Sequence, residues 1–261
     1  MADFILVRKS RNILSSITHV ALNILLGVGS IVVTVLTGSW VLGVLLVFLS
    51  KWRMFAVRPR YWLLNLKSNI VDLVVGISFV LLAYIAGGEW LLAHWLLAAL
   101  YTVWLVLIKP RSETIWVEVQ ALMAVFFGIA AASLLAAPYD SILTVLPAFL
   151  IGYGASRHII SQSGEEKDFR LITFLAGLFT AEVAWLCHSW YIIYQIEGTG
   201  IVVPQAAIIL TLFAFLFGRI YHSISRHDGK LKLADIAAPL AFVLLVIFVM
   251  IIKFSDPLFE I

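Results

Sequence analysis

Nine apolar stretches, separated from one another by glycine, proline or clusters of charge, dominate this chain. A helix needs about 20 apolar residues to cross the hydrocarbon of a bilayer. Read with breaks at those separators, the sequence predicts helices over 12–36, 39–56, 62–86, 89–108, 112–136, 140–160, 169–196, 202–223 and 235–253. Only "TGS" (37–39) parts the first two, which makes a tight helical hairpin. The 261 residues are 62% hydrophobic and 13% charged; a soluble domain carries roughly twice that share of charge. Polar surface is too scarce to cover a fold in water. The expected fold class is therefore an all-α integral membrane protein of about nine transmembrane helices. The connections are short and leave no soluble domain, so 1–261 reads as one polytopic unit.

The charges orient the spans. With the N-terminus inside, the inner segments hold Arg8, Lys9 and Arg11, then Lys51, Arg53, Arg58, Arg60 and Lys67. Further on they hold Lys109 and Arg111, then Arg157, Lys167 and Arg170, then Arg219, Arg226, Lys230 and Lys232. Of the 18 Lys and Arg residues only Lys253 falls elsewhere, while the outer turns carry Glu89, Asp140, Glu197, Asp256 and Glu260. The positive-inside rule then gives an N-in, C-out chain, and a cell (plasma or inner) membrane protein is expected. The basic excess, +3 overall, is spent on topology and on anionic headgroups of the inner side. It does not gather on one exposed face as nucleic-acid contacts require, so no nucleic-acid partner is expected. The opening "MADFILVRKSRN" places its apolar run before the basic cluster, the reverse of a cleaved signal peptide. A lone cysteine, Cys187, permits neither an internal disulfide nor a cysteine metal cluster.

"TGSW" (37–40) and "GGEW" (87–90) open two outer turns, each followed by an apolar span and then by "RPR" (58–60) or "KPR" (109–111). A duplicated hairpin, 12–60 and 62–111, gives this pattern. So does the general need of any hairpin for an aromatic anchor outside and a basic stop inside.

Stripes along the spans mark inward faces. In the first span Asn12, Ser16, His19, Asn23, Gly27, Ser30, Thr34 and Thr37 recur at three- and four-residue steps, all on one face. Close helix packing and a polar pathway both use such a face. In the third, Tyr61, Asn65, Ser68, Asn69, Asp72 and Gly76 align, and Asp72 falls about 5 Å to the inner side of the span's middle. That is the outline of an inward-facing polar cleft floored by a carboxylate, or of a helix end that is wet.

The seventh span carries "TAEVAWLCHSWYIIY" (180–194). Gly177, Ala181, Ala184, His188, Tyr191 and Gln195 form one seam, while Glu182 shares another face with Leu178, Trp185, Leu186 and Ser189. Glu182 and His188 are about 240° apart around the helix. An ionised carboxylate at mid-bilayer costs about 3 kcal/mol on insertion scales, and no Lys or Arg is expected in a span core. Glu182 is then protonated, or accepts hydrogen bonds, or binds a cation. Asn23, His19 and Asp72 are the polar groups at comparable depth, so Glu182, Asp72, Asn23 and His19 are the candidate binding or proton- and cation-linked residues. At the inner interface "KWRMFAVRPRYWLLNLK" (51–67) sets Trp52 and Trp62 among Arg53, Arg58 and Arg60, the candidate lipid-headgroup contacts.

Glu118 near Lys109 and Arg111 reads as an interfacial residue, His94 as a hydrogen-bonded packing histidine, and the apolar ninth span as an edge helix facing lipid or another subunit. No phosphate loop, zinc-protease helix or Cys/His metal set is present in the sequence, so no cofactor or metal is expected. Ser156 lies at the inner end of its span and His188 in the outer half of the next, too far apart for a dyad. Three functions remain: a solute, ion or lipid transport component using a mid-membrane carboxylate; a non-catalytic subunit that scaffolds a membrane assembly; and an intramembrane lipid-modifying enzyme, for which no catalytic set assembles.

Overall fold

The computed structural model describes residues 2–87, 90–161, 169–227 and 229–254, without the side chains of 2–14, 53, 251, 253 and 254. Glu89, Lys167, Asp256 and Glu260 lie outside the described residues, as do the side chains of Asn12, Arg53 and Lys253. The elements run α1 (Ala2–Thr37), α2 (Trp40–Ser50), α3 (Trp62–Ser68), α4 (Ile70–Ile85), α5 (Leu92–Val103), α6 (Thr114–Ala136), α7 (Ile142–Ile160), α8 (Phe169–Ser189), β1 (Ile193–Ile196), β2 (Ile201–Pro204), α9 (Gln205–Arg226) and α10 (Leu233–Phe254). The chain is 81% helical. Among the described residues six helices are long and apolar enough to cross a membrane, and seven if the bent α3–α4 pair is one span. That makes it an all-α, multi-span membrane protein.

Each apolar stretch of the sequence contains a helix among the described residues, but three differ in kind from simple spans. α2 has only 11 residues, and α5 reaches 17 only with the π-helical turn Trp104–Ile108 that extends it. α3 and α4 meet at 72°. The break falls at Ser68–Asn69, two residues whose side chains compete for backbone groups. The Asn65 carbonyl accepts from Ser68 Oγ (2.9 Å), Asn69 Nδ2 (2.9 Å) and the Asn69 N–H (3.2 Å).

By contacts the chain forms two compact units: Met1–Trp116 with Gln195–Val202, and Val117–Tyr194 with Val203–Ile261. In the first, α1, α2, α4 and α5 close around Ile31, Val47, Val75, Phe79 and Tyr101. Small residues set that closeness. A Cβ on Gly76 would stand 2.8 Å from Tyr101 Oη and 2.9 Å from Val47, and one on Gly43 would strike Thr34 and come within 2.7 Å of Val80. The α1 stripe divides accordingly. Gly27, Ser30 and Thr34 are buried, the hydroxyls bonding to their own helix, whereas Ser16 and His19 are exposed. His94 caps this unit from within. It is fully buried, takes the Leu91 N–H at Nδ1 (3.1 Å) and donates from Nε2 to the Ala83 carbonyl (3.0 Å).

In the second unit α7 and α8 lie closest. The α8 seam of Gly177, Ala181 and Ala184 is buried, and His188 at its C-terminal end meets Thr144 Oγ1 at 3.1 Å. α10 exposes Phe242, Leu244, Leu245 and Phe248, as an edge helix does. Residues 190–196 leave the helix. Tyr191, Ile192, Ile193 and Tyr194 are strand formers, and Ile193–Ile196 pairs with Ile201–Pro204 across a turn in which Gly198 and Gly200 hold φ near +70°.

Candidate functional site

Three helix ends meet at Asp72. α2 ends at Ser50 and delivers Lys51; α5 ends in the π turn and delivers Lys109; α4 begins at Ile70 and carries Asp72 in its first turn. Helix dipoles explain the choice of residues. The negative C-terminal ends of α2 and α5 favour ammonium groups, and the positive N-terminal end of α4 favours a carboxylate. Gly43 and Gly76 bring the helices near enough for the side chains to touch.

The carboxylate is engaged at both oxygens. Oδ2 pairs with Lys51 Nζ and, at 2.8 Å, with Lys109 Nζ. Oδ1 accepts a hydrogen bond from Trp104 Nε1 at 3.3 Å. The indole of Trp104 is 1% exposed and is fixed at the first position of the π turn. Asp72 and Lys51 are nearly covered, with side chains 12% and 9% exposed, whereas Lys109 is 40% exposed. Two lysines face one carboxylate, and Lys109 is the member on the open side.

Of the residues singled out in the sequence, Asp72 is the centre itself. Asn23 touches its frame through a long 3.5 Å hydrogen bond from Nδ2 to the Leu105 carbonyl inside the π turn. His19 lies one turn before Asn23 on the same face of α1 and is exposed. Glu182 is exposed on α8 among Leu178, Trp185 and Leu186, and it makes no hydrogen bond or ion pair with any described residue. Arg58, Arg60 and Trp52 are exposed. Trp62 is partly committed to local structure, because its Nε1 donates to the Val57 carbonyl at 2.9 Å and bridges the turn ahead of α3.

Lys51, Lys109 and Trp104 are the residues that sequence reasoning missed as partners of Asp72. The available signal was positional: both lysines end apolar runs on the side from which the polar stripe of the third span enters. A second cluster was also missed. Glu118 is buried in α6, paired with Arg219 (3.0 Å) and His222 (2.8 Å) of α9. Arg219 and His222 stand three residues apart on one face of α9, which is the pattern to look for. Beside it, His158 of α7 meets Gln120 of α6 at 2.7 Å. This cluster ties α6 to α9. Among the described residues no group of three or more His, Cys, Asp or Glu stands where a metal ion could be held.

Comparison with protein families, with curated proteins and with solved structures finds no match to this chain. The class that the fold defines, a multi-span helical membrane protein, is as far as identity extends, and function has to be read from the chain's own chemistry.

Proposed function

We propose that the chain is a transport component for an anionic solute, with Lys51, Asp72 and Lys109 as its binding centre. One observation carries this reading: two lysines, one of them exposed, are held on one carboxylate where two helix irregularities converge, the 72° break before α4 and the π turn after α5. Discontinuous membrane helices form substrate sites because their free backbone ends line a cavity, and π turns gather at functional positions. Asp72 holds the two lysines in place and partly neutralises them. An arriving anion competes for Lys109, the exposed member, and Trp104 keeps Asp72 oriented as it does. Asn23 and His19 extend the polar face of α1 toward this centre. In this reading all nine apolar helices traverse or enter the bilayer of a cell membrane, N-in and C-out, and the centre sits near the inner surface.

The test is direct. Purified protein in proteoliposomes on a solid-supported membrane is exposed to concentration jumps of chloride, phosphate, sulfate and small carboxylates. At least one anion is expected to evoke a charge movement, and Lys51→Gln and Lys109→Gln are expected to reduce it about tenfold or more, the worth of a lost charge-assisted hydrogen bond. Silence toward the whole panel contradicts the reading.

A second reading is favoured by Glu182. An exposed carboxylate on an apolar face of a long span suits a helix that meets a donor on another subunit, and so a chain that works within an assembly.

A further inference from the structure

The second unit carries a groove of about 390 Å³ between α7, α8 and α9. The hydroxyls that line it are spent on their own helices. Ser156 Oγ donates to the Gly152 carbonyl (2.8 Å) and Thr180 Oγ1 to the Ala176 carbonyl (2.7 Å), each within its own helix. The wall is therefore carbon, and a water molecule inside would lack the partners it needs. Phe179 and Phe213 meet edge to face at 5.3 Å on its rim, and Phe179 is 46% exposed, so the groove is open on one side.

Depth and charge identify the occupant. All three helices are long and apolar enough to span a membrane, which puts the opening in hydrocarbon. Along α9 the lining runs from Leu210 to Ile220, about 15 Å at the helical rise, half the hydrocarbon thickness and so the depth of one leaflet. At one end the lining residues are Ile159 and Ile172, each two positions from an arginine. Arg157 lays its guanidinium 5.0 Å over the ring of Phe169, and Arg170 is exposed in the first turn of α8. A carbon-lined slot one leaflet deep, with arginines of α7 and α8 on the helical turns at its end, matches a phospholipid.

We propose that this groove holds one acyl chain of an anionic glycerophospholipid whose phosphate lies against Arg157 and Arg170. The proposal is independent of the Asp72 centre.

The test is photo-cross-linking of the full chain in nanodiscs, using phosphatidylglycerol with a diazirine on one acyl chain and the phosphatidylcholine equivalent as the neutral probe. Cross-links from phosphatidylglycerol are expected to concentrate on Ile172, Phe179 and Phe213, above Leu244 and Phe248 of α10, which are 57% and 60% exposed. Ala214→Trp, which fills the groove, is expected to remove them. Each of Arg157→Gln and Arg170→Gln is expected to lower the preference for phosphatidylglycerol about fivefold, the worth of one arginine near an anionic surface. Even labelling of the lining and of α10 in the unmodified protein overturns the proposal, whatever the variants do. Equal labelling by the two probes overturns the headgroup assignment.

Discussion

Asp72 and Glu182 are both carboxylates in apolar surroundings, and their neighbours give them opposite characters. Asp72 starts a helix, faces two lysines and accepts from an indole; each of these lowers the cost of its charge. Glu182 sits within α8 with none of them. A carboxylate left in lipid costs about 3 kcal/mol, which contact with a donor on another chain would offset. If Glu182 faces such a partner, gentle solubilisation followed by native mass measurement shows a species larger than one chain, and Glu182→Leu weakens that association about tenfold, the upper worth of an interhelical hydrogen bond. A lone monomer from the unmodified protein contradicts the partner reading. The sequence alone ranks the two carboxylates by depth and so favours Glu182. It does not show that Lys51 and Lys109, distant along the chain from each other, end their helices beside Asp72.

At the scale of elements, the glycines and alanines on helix faces decide which helices can touch. Gly152 of α7 lies against Thr180 of α8, whose Cβ would be 2.5 Å from an added methyl, and Gly29 of α1 has nothing within 4 Å. Gly152→Ala is expected to cost about 1–3 kcal/mol by overpacking, and Gly29→Ala to be neutral or to stabilise by up to about 1 kcal/mol through helix propensity. Steric-trapping measurements of unfolding in bilayers separate the two, and equal stabilities would refute the packing assignment. The α8 seam is readable beforehand, since Gly177, Ala181 and Ala184 repeat at helical spacing. The irregular elements are not. The π turn at Trp104–Ile108 has no sequence signature apart from its helix, and the two strands of the 193–204 hairpin hide at the ends of neighbouring apolar runs whose β-branched and aromatic residues suit helix and strand alike in lipid-facing sequence.

At the scale of the molecule, composition fixes the solvent and the charge pattern proposes the orientation. The number of crossings is harder to read, because α2 and the bent α3–α4 pair depart from the 20-residue rule that counts them. The N-in, C-out arrangement makes its own prediction. In a Cys187→Ser background, Glu197→Cys is labelled by a membrane-impermeant maleimide in intact cells, and Ser112→Cys is labelled only after permeabilisation. Labelling of both from the same side contradicts the arrangement. The anion-transport reading rests on a single exposed cation, Lys109, held by Asp72. The most direct measurement is the anion-evoked current of reconstituted Lys109→Gln and Lys109→Arg beside the unmodified protein. The account predicts that Gln loses about tenfold or more of the current while Arg retains most of it; a Gln variant with the current of the unmodified protein would contradict it.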